Sequence, residues 1–218
     1  MERSPWLTIW TEPRATIAQI VAHQPNRSLW LLGAIYGFCS LMNLFQAAEI
    51  GEVMKTGPAL ILVILLAPIW GYVNFSVWSW FVRWVGKCLK GQGSFAALRA
   101  AYAWSAVPLI VNVPLWLLMV VLFGHQLFLN FSDSYLFTNS QRLVIFLFLI
   151  TKVIVSIWSL VIYLNALAEV QKFSILKAIF NVLLTGALLV VLTLVVWNFF
   201  FWIFGADNIA VMTIYKLM

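Results

Sequence analysis

The sequence predicts an all-α polytopic membrane protein, and three observations carry that prediction. Of 218 residues, 64% are apolar and only 9% are charged, and the mean hydropathy is +0.99. A soluble domain is about half apolar and about a quarter charged, because its water-facing surface must be polar. The apolar residues also gather into runs near or above the roughly 18–20 residues that a helix needs to cross a hydrocarbon core about 30 Å thick. Five transmembrane helices are predicted, preceded by an N-terminal amphipathic interfacial helix.

The segment 1–28 interleaves Trp6, Trp10, Ile17, Ile20 and Val21 with Thr11, Glu12, Arg14 and Gln19. Pro13 suits a first helical position, and the apolar residues at 10, 17, 20 and 21 fall on one helical face. A short helix lying in the cytoplasmic interface is expected, with Trp as anchor; an irregular polar tail is the alternative. Apolar residues become continuous only at Leu29, so no secretory signal peptide is expected.

The spans are expected at residues 29–48, 59–85, 103–123, 143–168 and 179–204, within one membrane domain covering 1–218. The longer ones must tilt or protrude, at about 1.5 Å of rise per residue. Pro68, Pro108 and Pro114 lie in or beside spans two and three, where neighbouring helices can satisfy freed carbonyls.

Basic residues set the orientation. Arg3, Arg14 and Arg27 precede span one, Arg83, Lys87, Lys90 and Arg99 follow span two, and Lys172 and Lys177 follow span four. The other side holds Lys55, Arg142 and Lys216. Nine against three in short loops predicts a cytoplasmic N-terminus and an outside C-terminus. The net charge of +6 is then an orientation signal and does not point to nucleic acid as a partner. The expected cytoplasmic face comprises Arg83, Lys87, Lys90, Arg99, Lys172 and Lys177.

Spans two and four share a pattern. Residues 75–80 read FSVWSW and residues 155–160 read VSIWSL, so Ser76, Trp78 and Ser79 recur as Ser156, Trp158 and Ser159. The same offset relates Ser94 to Ser174, each placed to cap the helix that follows. A parallel repeat of two helical hairpins would place a pseudo-twofold axis along the membrane normal; chance recurrence of Ser and Trp is the alternative.

Tyr72, Ser76, Ser79 and Arg83 share one helix face, as do Lys152, Ser156, Ser159 and Tyr163. Such stripes make a packing seam through small hydroxyls or line a polar groove. Lys152 lies near mid-membrane, where a cation costs at least about 2.5–3.5 kcal/mol. Pairing with Glu49 or Glu52, snorkelling outward, or contact with an anionic lipid or ligand would each reduce that cost. Gly33 and Gly37 form a small-xxx-small face suited to close helix contact, within the bundle or in a homo-oligomer.

Signatures of catalysis are missing. The seven acids, Glu2, Glu12, Glu49, Glu52, Asp133, Glu169 and Asp207, are scattered over loops, and no carboxylate pair, Walker loop or dinucleotide fingerprint occurs. Cys39 and Cys88, with His23 and His125, provide no disulfide framework or metal spacing. Neither an enzyme nor a cofactor is expected.

Three stretches carry a family resemblance: PWLTIWTEPRATIAQIV at residues 5–21, GKCLKGQGSFAALRAAYAWSAVP at 86–108, and EVQKFSILKAI at 169–179. On these the sequence resembles the prokaryotic branch of the Yip family, named for interaction with Ypt and Rab GTPases. The resemblance implies five membrane helices, and for bacterial members an inner-membrane location. Eukaryotic members reside in Golgi and endoplasmic reticulum membranes, where they contact GTPases and support vesicle traffic. Their long N-terminal domain has no counterpart in this sequence, and their Asp-Leu-Tyr-Gly-Pro-type motif is reduced to Gly57 and Pro58. GTPase binding is therefore not carried over.

Two functions follow from these readings. One is a non-enzymatic membrane scaffold or adaptor whose basic loops meet anionic lipids and an unknown membrane-protein partner. The alternative is a small transporter or lipid-translocating protein with a groove lined by Ser76, Ser79, Asn112, Lys152, Ser156 and Ser159.

Overall fold

The computed structural model describes residues 4–129 and 137–217, with side chains described as far as Trp202. Glu2, Arg3 and Asp133 lie outside the described residues, and the side chains of Asp207 and Lys216 lie outside those described. The elements run α1 (Pro5–Thr8), α2 (Pro13–His23), α3 (Leu29–Ala47), α4 (Thr56–Cys88), α5 (Phe95–Ser105), α6 (Asn112–Phe123), α7 (Asn139–Gln171) and α8 (Ile175–Leu217). Short 3₁₀ turns occupy Ile50–Glu52, Val107–Val111 and Gly124–Phe128.

Among the described residues, five stretches are long and apolar enough to cross a membrane: Leu29–Ala47, Thr56–Cys88, Phe95–Phe128, Asn139–Gln171 and Ile175–Trp202. The third is broken. A single helix from 103 to 123 is expected from hydropathy, yet α5 begins at Phe95, where the Ser94 hydroxyl accepts from the Ala97 amide at 3.2 Å. Ala97, Leu98, Ala100 and Ala101 then pack into the core, so tertiary burial, not hydropathy, starts this helix. Pro108 lacks an N–H and forces the tighter turn at Val107–Val111, after which Pro114 falls in the first turn of α6, where its missing donor costs little.

The two long hairpins are built alike. Both α4 and α7 have 33 residues. The first closes with the Gly91 amide donating to the Gly86 carbonyl and the second with the Phe173 amide donating to the Ala168 carbonyl, each at 2.8 Å. The intervening left-handed position is Lys90 (φ 66°) in one and Lys172 (φ 56°) in the other. This is a Schellman closure with lysine where glycine is usual. Ser174 caps α8 as Ser94 caps α5, accepting from the Lys177 amide at 3.4 Å. The hairpins differ in that α7 runs about one turn further before a shorter loop.

The N-terminal pair α1–α2 does not present a free apolar face to the interface. Ile9 and Ile17 are fully enclosed, Ile20 nearly so, and Trp6 rests on Trp104 with ring centroids 5.2 Å apart. The face expected to enter the membrane surface is spent against α5 and α7, where Trp104 and Ile162 receive it. Toward the other end a second apolar cluster gathers Met42, Val63, Trp116, Met119, Leu127 and Phe128. Beyond Gly186 the described side chains of α8 are all partly or fully exposed, as befits a helix surrounded by acyl chains.

Candidate functional site

Three contacts bring separate basic stretches of the sequence to one end of the bundle. Arg14 donates from Nε to Asn165 at 3.1 Å, which ties α2 to the late part of α7. Arg99 donates to the Tyr72 hydroxyl at 2.7 Å and to Asn26 Oδ1 at 2.9 Å, joining α5, α4 and the segment before α3. The Gln92 amide donates to the Gln171 carbonyl at 3.2 Å and the Gly93 amide to Gln171 Oε1 at 3.0 Å, so the two loops that follow α4 and α7 are stitched together.

Gln171 is the centre of that last junction and had no signal in the sequence beyond its place before Lys172. It is 2% exposed. A Cβ added at Gly91 would stand 2.8 Å from Gln171 Cδ, and one added at Gly86 would stand 3.0 Å from it and 3.1 Å from Asn181 Nδ2. Glycine at these positions lets the main chain close on two buried amides, whose Nε2 and Nδ2 groups have no partner among the described residues. Buried donors of this kind are commonly met by an ordered water.

Of the residues expected on the basic face, Lys87, Lys90, Lys172 and Lys177 are exposed. Lys172 pairs with Glu169 at 2.5 Å. The expectation fails for Arg99, which is half-buried and structural, its guanidinium lying 5.0 Å from the Tyr72 centroid and 5.3 Å from that of Phe95. Arg83 is also half-buried, with Nε enclosed and unpartnered. Helix periodicity turned both inward, which a count of loop charges does not register.

Gly33 and Gly37 form an intramolecular seam. The backbone of α4 fills their face: a Cβ added at Gly37 would stand 2.7 Å from the Ala67 carbonyl carbon, and one at Gly71 would stand 2.6 Å from that of Gly33. Of the two uses open to this motif, seating span one on the bundle is the one realised in the single chain.

Lys152 donates to Asn43 Oδ1, with Nζ 4.9 Å from the Trp116 centroid and 5.0 Å from that of Phe148. Glu49 and Glu52, the acids expected as partners, are not used; Asn43 lies a turn deeper in α3. Side chains on a helix lean toward its N-terminus, so Lys152 extends away from the basic end and reaches the last turn of α3. The cation is met inside the bundle, and its partners among the described residues are neutral. Asn43 in turn donates to the Cys39 carbonyl at 2.6 Å; one Asn in an apolar span carries no periodic signal in the sequence.

The remaining polar residues are divided among several places. Asn112 is 4% exposed and sits one turn before Trp116, its Oδ1 without a partner among the described residues. Ser76 donates to the Tyr72 carbonyl of its own helix at 2.9 Å, Ser79 is buried with a free hydroxyl, Ser159 is half-buried with a free hydroxyl, and Ser156 faces outward. Between α4 and α7 the link is made by Trp78, whose Nε1 donates to the Tyr163 hydroxyl at 2.8 Å. Tyr102 joins this cluster, its hydroxyl 3.1 Å from that of Tyr36.

Five apolar helices closed around an aromatic and glycine-rich interior define a polytopic α-helical membrane protein. The match of the Yip1 domain model to residues 7–208 shows that the chain belongs to the Yip1 domain family, a family of membrane proteins linked to trafficking. No curated protein and no solved structure matches the chain.

Proposed function

We propose that this chain is a non-enzymatic membrane scaffold or adaptor acting through its basic end, in a bacterial inner membrane with that end cytoplasmic and the C-terminus outside. The observation that carries the reading is the construction of that end. Three separate stretches are fastened together by Arg14, Arg99 and Gln171, while Lys87, Lys90 and Lys177 stay exposed around them. A platform edged by lysines that form no ion pair among the described residues suits anionic headgroups or an acidic face of a membrane partner, at about 1 kcal/mol per basic residue near the surface. Lys152 is proposed as a further anionic-lipid contact nearer the opposite end.

The test replaces Lys87, Lys90 and Lys177 by Gln and leaves Arg99 in place. Acidic phospholipid retained in native mass spectra, and crosslinks to membrane partners, are expected to fall together. Unchanged lipid and crosslink profiles in a correctly oriented variant would refute the proposal. Orientation is read at Cys88, which is exposed while Cys39 is buried: a membrane-impermeant maleimide should label inside-out vesicles and spare spheroplasts.

A further inference from the structure

Beside the basic platform, where α2 meets α7, lies a cleft of about 420 Å³. Its walls include Trp10, Glu12, Arg14, Trp158, Val161 and Asn165. From the cleft and its charges we infer that it is a binding site for one zwitterionic phospholipid headgroup, the phosphate at Arg14 and the ammonium at Glu12.

Arg14 makes its bond to Asn165 through Nε. That bond fixes the plane of the guanidinium and leaves its two terminal NH₂ groups, which have no partner among the described residues, for a phosphate in the bidentate geometry this side chain favours. Glu12 lies two residues away across Pro13 and forms no ion pair among the described residues, with Arg14 or with any other group. Its side chain does not cap α2 either. A cation and a carboxylate kept apart in one cleft match a ligand that carries both charges a few ångströms apart, which a purely anionic headgroup does not.

The apolar part of the ligand has a place as well. Trp158 and Val161 are 44% and 41% exposed on the outer face of α7, continuous with its apolar surface, so acyl chains leaving the cleft would run along them. Asn165 lies six residues before the end of α7, about 9 Å from it at 1.5 Å per residue. Trp158 lies seven residues, about 10 Å, further along α7 from that end than Asn165, beside the upper acyl chains of a lipid whose headgroup occupies the cleft. The ammonium would also meet the aromatic face of a Trp. None of Lys87, Lys90 or Lys177 takes part; Arg14 also ties the platform, so the Glu12→Gln arm, which leaves that tie in place, separates this site from it.

Full-length protein is incorporated into nanodiscs of mixed phosphatidylethanolamine, phosphatidylcholine and phosphatidylglycerol, released, and weighed by native mass spectrometry. With Lys87, Lys90 and Lys177 replaced by Gln to remove the platform's acidic-lipid contacts, the protein is expected to keep one phosphatidylethanolamine in preference to phosphatidylglycerol, and the variants below are made in that background. Arg14→Gln should reduce retention of all three by about tenfold, with Arg14→Lys in between. Glu12→Gln should reverse the preference toward phosphatidylglycerol, because it removes both the partner of the ammonium and the repulsion of an anionic lipid. Loss of a fold would lower every lipid without changing their order, so the reversal reports the site itself. An unchanged lipid order in Glu12→Gln, or equal retention of the three lipids by the lysine-replaced background with Glu12 intact, would overturn the inference.

Discussion

Alanine at Gly37 is the sharpest perturbation of the α3–α4 seam. A Cβ there would stand 2.7 Å from the carbonyl carbon of Ala67 and closer still to its oxygen, whereas ordinary contact begins near 3.4 Å. Backbone cannot rotate aside as a side chain does, so α3 and α4 must part by at least about 0.7 Å along the seam. A gap of that size forfeits roughly a quarter to a half of each dispersion contact around it, and overpacking of this kind costs about 1–3 kcal/mol. The better helix propensity of Ala returns up to about 1 kcal/mol. Gly71→Ala should behave the same way, since its Cβ would meet the Gly33 carbonyl carbon and Cα at 2.6 Å. Gly33→Ala, at 3.2 Å from the Pro68 oxygen and Tyr72 nitrogen, should be milder, and Gly186→Ala, with nothing within 4 Å, should be neutral or stabilising. Reversible unfolding in mixed micelles or steric trapping in bicelles measures the series. The expected order of stability is Gly186→Ala above Gly33→Ala, with Gly37→Ala and Gly71→Ala lowest and their loss independent of protein concentration. Four equal variants would refute the seam, and a loss seen only on dilution would assign the glycines to an oligomer contact instead.

Asn43→Leu should destabilise by about 1–3 kcal/mol, because it strands an ammonium within the membrane, whereas Lys152→Met should be neutral or stabilising; the double variant, measured in the same unfolding assay, should recover most of the Asn43 loss. Gln171→Ala removes the acceptor for the Gly93 amide, so hydrogen exchange at that amide should accelerate, with a stability loss of about 1–2 kcal/mol. Ser94→Ala should cost about 1 kcal/mol through loss of the α5 cap. Lys90→Gly should raise the midpoint of thermal unfolding, since the left-handed backbone costs a non-glycine residue about 1–2 kcal/mol.

Much of this molecule was legible in the residues. Long apolar runs must be helical in a bilayer, because nothing else satisfies their backbone there, and so the number of spans and the two serine caps followed from pattern alone. The hairpin likeness was partly visible in Ser76, Trp78 and Ser79 and their counterparts, but the matching Schellman closures were not, because lysine at a left-handed position carries no sequence signature. The site was less legible. Arg99 reads as a loop charge and is a half-buried tie, Gln171 reads as a helix end and holds two loops together, and Asn43 is a lone polar residue whose meaning depends on Lys152 from a distant helix.

The sequence by itself determined that the chain lives in a membrane, how many times it can cross, and which loops hold the cations. Those properties are sums over residues against a uniform solvent, and they need no knowledge of neighbours. Tertiary structure alone decided that Gly33 and Gly37 face α4, that the amphipathic N-terminal face is spent on α5 and α7, that Lys152 is answered by neutral Asn43, and that Glu12 and Arg14 share a cleft without pairing. Each of these is a meeting of groups far apart in the chain, set by ångström-scale packing of helices, and lipid as apolar as the side chains it touches does little to specify such packing in advance.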